Sequence, residues 1–169
     1  MSKRRPNGRA LYPGTFDPAH NGHLSLIDRA TTLFDEVVVA VASSAGKNPL
    51  FTPDERFDLM KEAIADLDNR DRVEIMLFDG LLANLVKQQK AVAIVRGLRA
   101  ISDFEYEFQM ALMNRKLARA AETVFLMPSL SWVYLSSSIV KDVAAHGGDV
   151  SGLVPPSVLA ALHKKFPRS

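Results

Sequence analysis

Residues 14–23 read GTFDPAHNGH and lie between a short apolar segment and a helical repeat. Before this stretch, Arg9–Pro13 (RALYP) predicts a first strand. After it, apolar residues recur with roughly helical spacing over 24–34 and predict a helix. The segment is therefore a strand, a glycine-containing loop and a helix in succession.

This loop has the features of an anion-binding site. Gly22 would let the backbone approach a ligand closely, and the first turn of a helix offers unpaired N–H groups and the positive end of the helix dipole. His23 can add one or two hydrogen bonds to a phosphate. A lone histidine is more often structural, but the two glycines and the strand-to-helix setting favour a phosphate-binding role here.

Strands and helices alternate along the rest of the chain. Further strands are predicted at 37–43, 73–78, 91–96 and 123–127, and helices at 52–67, 81–89, 102–117, 136–145 and 155–166. This alternation predicts an α/β fold: a Rossmann-like, doubly wound sheet of five parallel strands with helices on both faces.

Two of these segments carry strong local signals. Val37–Ser43 (VVVAVAS) is rich in β-branched residues, as expected of a strand buried on both faces of a parallel sheet. Thr52–Glu55 combines a capping threonine, a proline at the first helical position and a glutamate three residues after the cap. We expect residues 1–169 to form a single domain in which residues 1–8 are a flexible N-terminus.

Composition narrows the class of protein. The 169 residues include 21 Lys and Arg against 19 Asp and Glu, a net charge of +2, so we expect a local anion site and no nucleic-acid partner. The absence of cysteine excludes disulfides and thiolate catalysis and is compatible with a cytoplasmic location. The longest strongly apolar stretch, 37–42, is too short to span a membrane, and no export signal is visible.

In a doubly wound sheet, the ligand crevice lies beyond the carboxyl ends of the strands. Candidate site residues follow each of the five predicted strands at that edge: Thr15 and His23, then Ser43–Lys47, Gly80–Leu82, Arg96–Arg99, and finally Ser129–Ser138. This convergence at one edge is stronger evidence for a site than any single residue.

Each candidate also has a structural explanation. Lys47, in SSAGKNP, could swing a charge over a phosphate, but loop lysines are usually solvated. Arg96 and Arg99 flank Gly97 and would need an anionic partner, which a ligand or the side chains of Asp103 and Glu107 could supply.

The last predicted loop presents hydroxyls and aromatic rings. Ser136, Ser137 and Ser138 would cap a helix and offer hydroxyls and N–H groups to a phosphate, although a plain cap needs only one serine. Trp132 and Tyr134 could cover an adenine ring, or simply fill the edge of the core.

Missing motifs exclude several enzyme classes. The chain has no GxxxxGK[ST] phosphate loop, no GxGxxG after the first strand and no GxSxG nucleophile elbow. The candidate site is rich in phosphate donors and poor in nucleophiles. This favours phosphoryl or nucleotidyl transfer by positioning and charge stabilisation, without a covalent intermediate.

Five segments together resemble the bacterial phosphopantetheine adenylyltransferases, in order and over nearly the whole chain. They are GTFDPAHNGH, SSAGKNPLFT, RGLRAISDFEYEFQMALMNR, VFLMPS and WVYLSSSIVKDV. The T-x-G-H-like element alone indicates only the nucleotidyltransferase superfamily, and the RGLRxxxDFEYE block narrows the resemblance.

The resemblance implies transfer of AMP from ATP to 4′-phosphopantetheine, giving dephospho-coenzyme A and pyrophosphate with the help of Mg²⁺. It also implies a homohexamer inhibited by coenzyme A. His23 would be the catalytic residue that stabilises the α-phosphate in the transition state. The ATP-side residues would be Thr15, Phe16, His23, Gly97, Leu98, Arg99, Glu107, Trp132, Val133, Tyr134, Leu135, Ser136, Ser137 and Ser138. The acceptor-side residues would be Thr15, Lys47, Leu82 and Arg96.

Two residues depart from the family pattern: His20 stands where threonine is frequent, and Asn48 where a basic residue is frequent. Three alternatives remain open from the residues alone. They are a sister nucleotidyltransferase with another phosphorylated acceptor, a non-catalytic nucleotide-binding module, and an NAD-linked oxidoreductase, which the missing glycine fingerprint disfavours.

Overall fold

The computed structural model describes residues 8–44, 46, 48–99 and 101–167, without the side chains of 101–103. The predicted flexible N-terminus therefore lies, except for Gly8, outside the described residues. The described strands are β1 (Arg9–Gly14), β2 (Glu36–Ala42), β3 (Val73–Phe78), β4 (Ala93–Gly97) and β5 (Glu122–Leu126). The described α-helices are α1 (Asn21–Leu33), α2 (Pro53–Ala63), α3 (Leu82–Gln88), α4 (Ile101–Leu117), α5 (Ser137–Ala145) and α6 (Pro156–Lys165).

The five strands form one sheet in the order β3-β2-β1-β4-β5, and every neighbouring pair is parallel. This confirms the predicted doubly wound α/β fold in a single domain. The chain winds outward from β1 to β3, then returns to the other side of β1 to form β4 and β5. The order of the strands therefore reverses between β1 and β4, where doubly wound sheets bind their ligands.

The sheet is buried on both faces, and β2 lies within it as its sequence predicts. Val37, Val39 and Val41 face a core shared with α1, α2, α5 and α6, while Val38 and Ala40 face a second core shared with α3. All five side chains are fully buried. Because alternate residues of a strand point to opposite faces, only a continuous apolar run can fill two cores.

The strands separate at the reversal point. In the described structure β1 and β4 pair only through Ala10 with Ala93 and Leu11 with Ile94. In contrast, β1 pairs with β2 along its whole length, from Arg9 to Gly14. The carboxyl ends of β1 and β4 thus frame an opening at one edge of the sheet.

Helix α2 begins as predicted and ends earlier than predicted. Thr52 Oγ1 accepts the N–H of Glu55, and the Glu55 carboxylate accepts the N–H of Thr52, which confirms the capping box. The helix ends at Ala63, whereas the sequence predicted an end near Leu67. Residues 64–69 (IADLDN) form turns instead, since Asp and Asn hydrogen-bond locally and favour helix ends over helix interiors.

Among the described residues, no helix combines the length and the apolar character needed to cross a bilayer.

Candidate active site

A cavity of about 720 Å³ opens at the carboxyl edge of the sheet, between β1 with α1 on one side and β4 with α4 on the other. This volume is typical of small-molecule and cofactor sites. Its floor includes the ends of β1 and β4, and its rim includes the N-terminus of α5. Residues that follow four of the five predicted strands line this cavity, whereas residues 43, 44 and 46 of the loop after β2 are not among its lining residues. The predicted convergence at one sheet edge is therefore confirmed for those four segments.

The loop after β1 packs around a cluster of aromatic rings. The Phe16 ring is 3% exposed and meets Tyr12 and His23 edge-on, with centroids 5.4 and 4.9 Å away. The backbone of Phe16 has φ of 51°, a left-handed conformation that non-glycine residues seldom adopt. Thr15, just before it, is exposed at the cavity wall.

His23 lies in the first turn of α1, and one of its ring nitrogens is already occupied. Its Nδ1 accepts a hydrogen bond of 3.1 Å from the backbone N–H of His20. Burial, and then the proximity of His20 and Arg99, lowers the pKa of His23 well below its ordinary 6.5. His23 is therefore neutral near pH 7, with its proton on Nε2, and it offers one hydrogen bond where the sequence allowed one or two.

His20 packs directly on His23. The two rings stack with centroids 3.7 Å apart, and burial followed by the charge of Arg99 lowers the pKa of His20 to about 4. Its Nδ1 is buried and has no hydrogen-bond partner in the described structure. A Cβ added at Gly22 would lie 2.9 Å from Cε1 of His20. Gly22 thus makes room for the His20 ring, whereas the sequence predicted a close approach of the backbone to a ligand there.

The first turn of α1 offers fewer free N–H groups than the sequence predicts. The N–H of Asn21 donates to the carbonyl of Leu153 at 2.9 Å, and the N–H of His23 donates to the carbonyl of His20 at 2.8 Å. The expectation of an open helix N-terminus is therefore wrong for these two groups. Tertiary contact with the segment before α6 accounts for the first of them.

Arg96 and Glu107 form a bidentate ion pair across the cavity wall. Arg96 Nε donates to Glu107 Oε2 at 2.8 Å, and Nη2 donates to Oε1 at 2.6 Å. Arg96 Nη1 also donates to the Pro13 carbonyl at 2.9 Å and so bridges the separated ends of β4 and β1. Burial opposes its charge, but Glu107 outweighs this effect and raises the pKa of Arg96 above the ordinary value. One protein partner that the sequence offered for Arg96 is thus present.

The N-terminus of α5 forms the opposite rim. Ser136 Oγ accepts the N–H of Ile139, which confirms it as the helix cap, and Ser137 Oγ donates to the Pro18 carbonyl at 2.8 Å. Ser138 is exposed at the cavity wall. Arg99 reaches this rim through a bond of 3.1 Å from Nη1 to the Leu135 carbonyl. One serine caps the helix, one ties it to the loop after β1, and the third is exposed to the cavity.

Most predicted site residues do line this cavity. They are Thr15, Phe16, His23, Leu82, Arg96, Gly97, Arg99, Glu107, Trp132, Leu135, Ser136, Ser137 and Ser138. Leu98, Val133 and Tyr134 are not among its lining residues, and Tyr134 is 59% exposed. Lys47 lies outside the described residues.

Several residues at or beneath the site were not predicted from the sequence. Tyr12 and Asn114 line the cavity although both are nearly buried, and burial raises the pKa of the Tyr12 hydroxyl. Arg56 is fully buried behind the loop after β1. A signal for Arg56 was available: it shares the buried face of α2 with Met60 and Ala63, so an arginine stands at an apolar position of the helix.

The fold and the cavity define a nucleotidyltransferase-type α/β protein, and residues 11–143 match the family model described as cytidylyltransferase-like. A phosphopantetheine adenylyltransferase of Solidesulfovibrio magneticus is 54% identical over 93% of this chain and 90% of its own length. The enzyme of that name from Geobacter sulfurreducens is 53% identical over 95% and 96%. The chain belongs to the phosphopantetheine adenylyltransferase family.

Solved structures with little sequence identity share the fold. The nicotinic acid mononucleotide adenylyltransferase of Plasmodium falciparum, solved with NaAD, superposes with a TM-score of 0.69 at 14% identity, covering 94% of this chain and 95% of that one. This likeness concerns the architecture of the sheet and its helices.

Proposed function

We infer that this protein transfers the AMP group of ATP to 4′-phosphopantetheine, giving dephospho-coenzyme A and pyrophosphate. The observation that carries this inference is the meeting of a neutral, oriented imidazole, His23, with the cationic Arg96 and Arg99 at one cavity. Sequence identity above one half to enzymes of that name supports the choice of acceptor.

The reaction needs alignment and charge stabilisation. An oxygen of the acceptor phosphate attacks the α-phosphorus of ATP, the bond from that phosphorus to the bridging oxygen of the β-phosphate breaks, and pyrophosphate leaves with that oxygen. The attacking group is already an anion, so no general base has to remove a proton. The protein must hold two anions in line and offset their repulsion.

We assign His23 to the α-phosphate. Its Nε2–H is the one donor left after Nδ1 has accepted the His20 N–H, so the ring can point a single hydrogen bond at an oxygen that gains charge. A neutral imidazole donates without being a strong acid, which fits a reaction without proton transfer.

The two substrates are proposed to occupy the two halves of the cavity. ATP would lie against Gly97–Arg99, Glu107 and the α5 rim, with Thr15 and Phe16 touching both substrates. The acceptor would lie against Leu82 and Arg96, with Lys47 supplying a further charge. Arg96 and Glu107 are joined by their ion pair, so the two halves share a wall.

Magnesium is proposed to enter as part of the ATP substrate. In the described part of the chain no three His, Asp or Glu side chains are grouped to hold a metal. Mg²⁺ commonly keeps several waters and is held mainly by substrate phosphates, so we propose that the phosphates of ATP and water supply most of its ligands. The ion would neutralise charge on the departing pyrophosphate.

We also propose a homohexamer in the cytoplasm, inhibited by coenzyme A. Support for assembly comes from large apolar residues of α4 that are each more than one-third exposed: Phe104, Tyr106, Phe108, Met110, Leu112 and Met113. Support for inhibition is chemical, since coenzyme A carries the skeleton of the product and could occupy both halves of the cavity.

Pyrophosphate release from Mg·ATP tests the function, measured with 4′-phosphopantetheine, with nicotinamide mononucleotide or with no acceptor. Release that depends on phosphopantetheine is the expected result. Release with nicotinamide mononucleotide alone would keep the mechanism and change the acceptor. No release with either would favour a nucleotide-binding module.

A further inference from the structure

Arg56 of α2 is a buried cation whose partners are backbone carbonyls. The side chain is fully buried. Nη1 donates to the carbonyls of Thr15 at 2.6 Å and Ala42 at 2.7 Å, Nη2 donates to that of Ser43 at 3.1 Å, and Nε donates to that of Phe51 at 3.2 Å. Four of its five N–H groups can thus be satisfied by main-chain oxygens.

These carbonyls come from three separate parts of the site. Thr15 belongs to the loop after β1, Ala42 ends β2 and Ser43 follows it, and Phe51 precedes α2. The segment between Ser43 and Phe51 contains Lys47. One guanidinium therefore joins the loop after β1 to both ends of the connection between β2 and α2.

Asp17, in the loop after β1, also links that loop to the end of the connection between β2 and α2. Its Oδ1 accepts the N–H of Phe51 at 2.9 Å, and its Oδ2 accepts the N–H of Leu50 at 3.0 Å and Nζ of Lys141 at 2.9 Å. Arg56 binds the carbonyl of Phe51 and Asp17 binds its N–H group, so the two side chains together hold both backbone polar groups of Phe51.

The hydrogen bond from Arg56 to the Thr15 carbonyl lies next to the strained backbone of Phe16. Phe16 has φ of 51°, and such a conformation persists only where its surroundings hold it. In a trans peptide the C=O and N–H groups point in opposite directions. With the Thr15 carbonyl directed at Arg56, the N–H of Phe16 is directed away from Arg56. Thr15 and Phe16 both line the cavity, whereas Arg56 does not.

We propose that Arg56 is a positioning residue for adenylyl transfer, setting the Thr15–Phe16 peptide and the β2–α2 connection relative to each other. This proposal rests on the proposed function. Within the described residues, the hydrogen bonds of Arg56 reach the loop after β1, which is proposed to touch both substrates, and both ends of the connection that contains Lys47, which is proposed to touch the acceptor. None of them reaches Gly97–Arg99, Glu107 or the N-terminus of α5, where ATP is proposed to lie. Its loss should therefore change acceptor use more than ATP use.

Arg72 provides a matched control. It donates from Nε to the Asp35 carbonyl at 3.0 Å and from Nη2 to the Phe34 carbonyl at 2.6 Å, at the amino edge of the sheet. Arg72→Met removes an arginine that also binds carbonyls, but far from the cavity. Arg56→Met removes all four bonds, and Arg56→Lys keeps the charge with fewer and differently directed donors.

The experiment measures kcat and KM for each substrate in Arg56→Met, Arg56→Lys and Arg72→Met, below their unfolding temperatures. For Arg56→Met we expect kcat/KM for phosphopantetheine to fall by about 10- to 100-fold, with the KM for ATP changed by less than about threefold. The kcat/KM of Arg56→Lys for phosphopantetheine should lie between the values of wild type and Arg56→Met. Arg72→Met should lose stability and keep wild-type kinetics.

Amide hydrogen exchange of Phe16, Leu50 and Phe51 provides a readout without substrate. Exchange should be faster in the Arg56 variants and unchanged in Arg72→Met. If wild type shows no phosphopantetheine-dependent reaction, the proposed function fails and exchange alone decides the positioning role. Wild-type kinetics in Arg56→Met, equal kinetic losses in the Arg56 and Arg72 variants, or unchanged exchange would overturn it. Failure of both Arg56 variants to fold would also overturn it.

Discussion

The imidazole rings of His20 and His23 stack 3.7 Å apart, and the backbone N–H of His20 donates to Nδ1 of His23. The backbone bond sets the tautomer of His23, while the His20 ring covers one face of the His23 ring. Burial lowers the pKa of both rings, and each is further disfavoured as a cation by Arg99. Both rings are therefore neutral at physiological pH. Because the bond that orients His23 comes from the backbone of His20, the His20 side chain can be replaced while that bond is kept.

Replacing His23 by alanine should reduce turnover while leaving ATP affinity nearly intact. Loss of one donor to a developing charge typically costs about 2.7–4 kcal/mol of transition-state stabilisation. Steady-state kinetics together with ATP binding by calorimetry would measure the two effects separately. His146→Ala, at an exposed histidine on the far end of α5, is the matched control and should behave as wild type. A His23→Ala protein with normal turnover would remove His23 from the mechanism.

His20→Thr should change how stability depends on pH. The folded-state pKa of His20 is lowered from 6.5 to about 4, so the unfolded chain takes up a proton first as pH falls below 6.5. Wild type should therefore lose about 3 kcal/mol more unfolding free energy than His20→Thr between pH 7 and pH 4. Urea unfolding at a series of pH values measures this difference. Parallel curves for the two proteins would contradict it.

Arg96→Ala should raise the KM for the acceptor more than any other kinetic constant. A hydrogen bond to a charged group contributes about 1.5–3 kcal/mol, which corresponds to a change of roughly 10- to 100-fold. Arg9→Ala removes an arginine that is paired with Glu36 and Glu74 at the opposite edge of the sheet, and its kinetics should match wild type. An unchanged acceptor KM in Arg96→Ala would mean that Arg96 serves only its bonds to Glu107 and to the Pro13 carbonyl.

Asp17→Asn should destabilise the protein at neutral pH but not in strong acid. Burial works to raise the pKa of Asp17, but hydrogen bonds from Lys141, Leu50 and Phe51 together hold it below its ordinary 3.8. Its contribution is thus complete above pH 3.8 and is lost as pH falls through the lowered value. We expect a loss of about 1.5–3 kcal/mol at pH 7.

Urea unfolding from pH 7 to pH 2 measures the effect of Asp17→Asn. The difference from wild type should shrink below pH 3.8. Asp58→Asn, an exposed acid on α2, should change stability by less than about 0.5 kcal/mol. An Asp17→Asn difference that stays constant across this range would show that the carboxylate charge is not what stabilises the fold.

Local signals in the sequence were sufficient for the succession of strands and helices and for the position of the site, but not for the end of α2. The apolar run 37–41 had to be buried on both faces, and the Thr52–Glu55 pattern had to begin a helix, because both depend on residues that are close in sequence. The gathering of Thr15, His23, Arg96 and Ser138 at one edge followed from the parallel arrangement of the strands. The roles of these residues in catalysis stay predictions.

Contacts between distant segments could not be predicted in the same way. The Asn21 N–H meets the Leu153 carbonyl, and Arg56 meets the Thr15 carbonyl, across separations that no local pattern encodes. The pattern of α2 placed an arginine on its buried face, but which carbonyls it would find depends on how β1 and β2 pack against the helix.

The sequence by itself determined the succession of strands and helices along the chain, the parallel sheet and the edge at which the site residues meet. Periodicity, capping and turn chemistry act over a few residues, so these features could be predicted from local patterns. Only the tertiary structure decided the ionisation and tautomer of His23, the pairing of Arg96 with Glu107 and the burial of Arg56. These depend on desolvation and on hydrogen bonds between segments that come together only when the sheet and its helices pack.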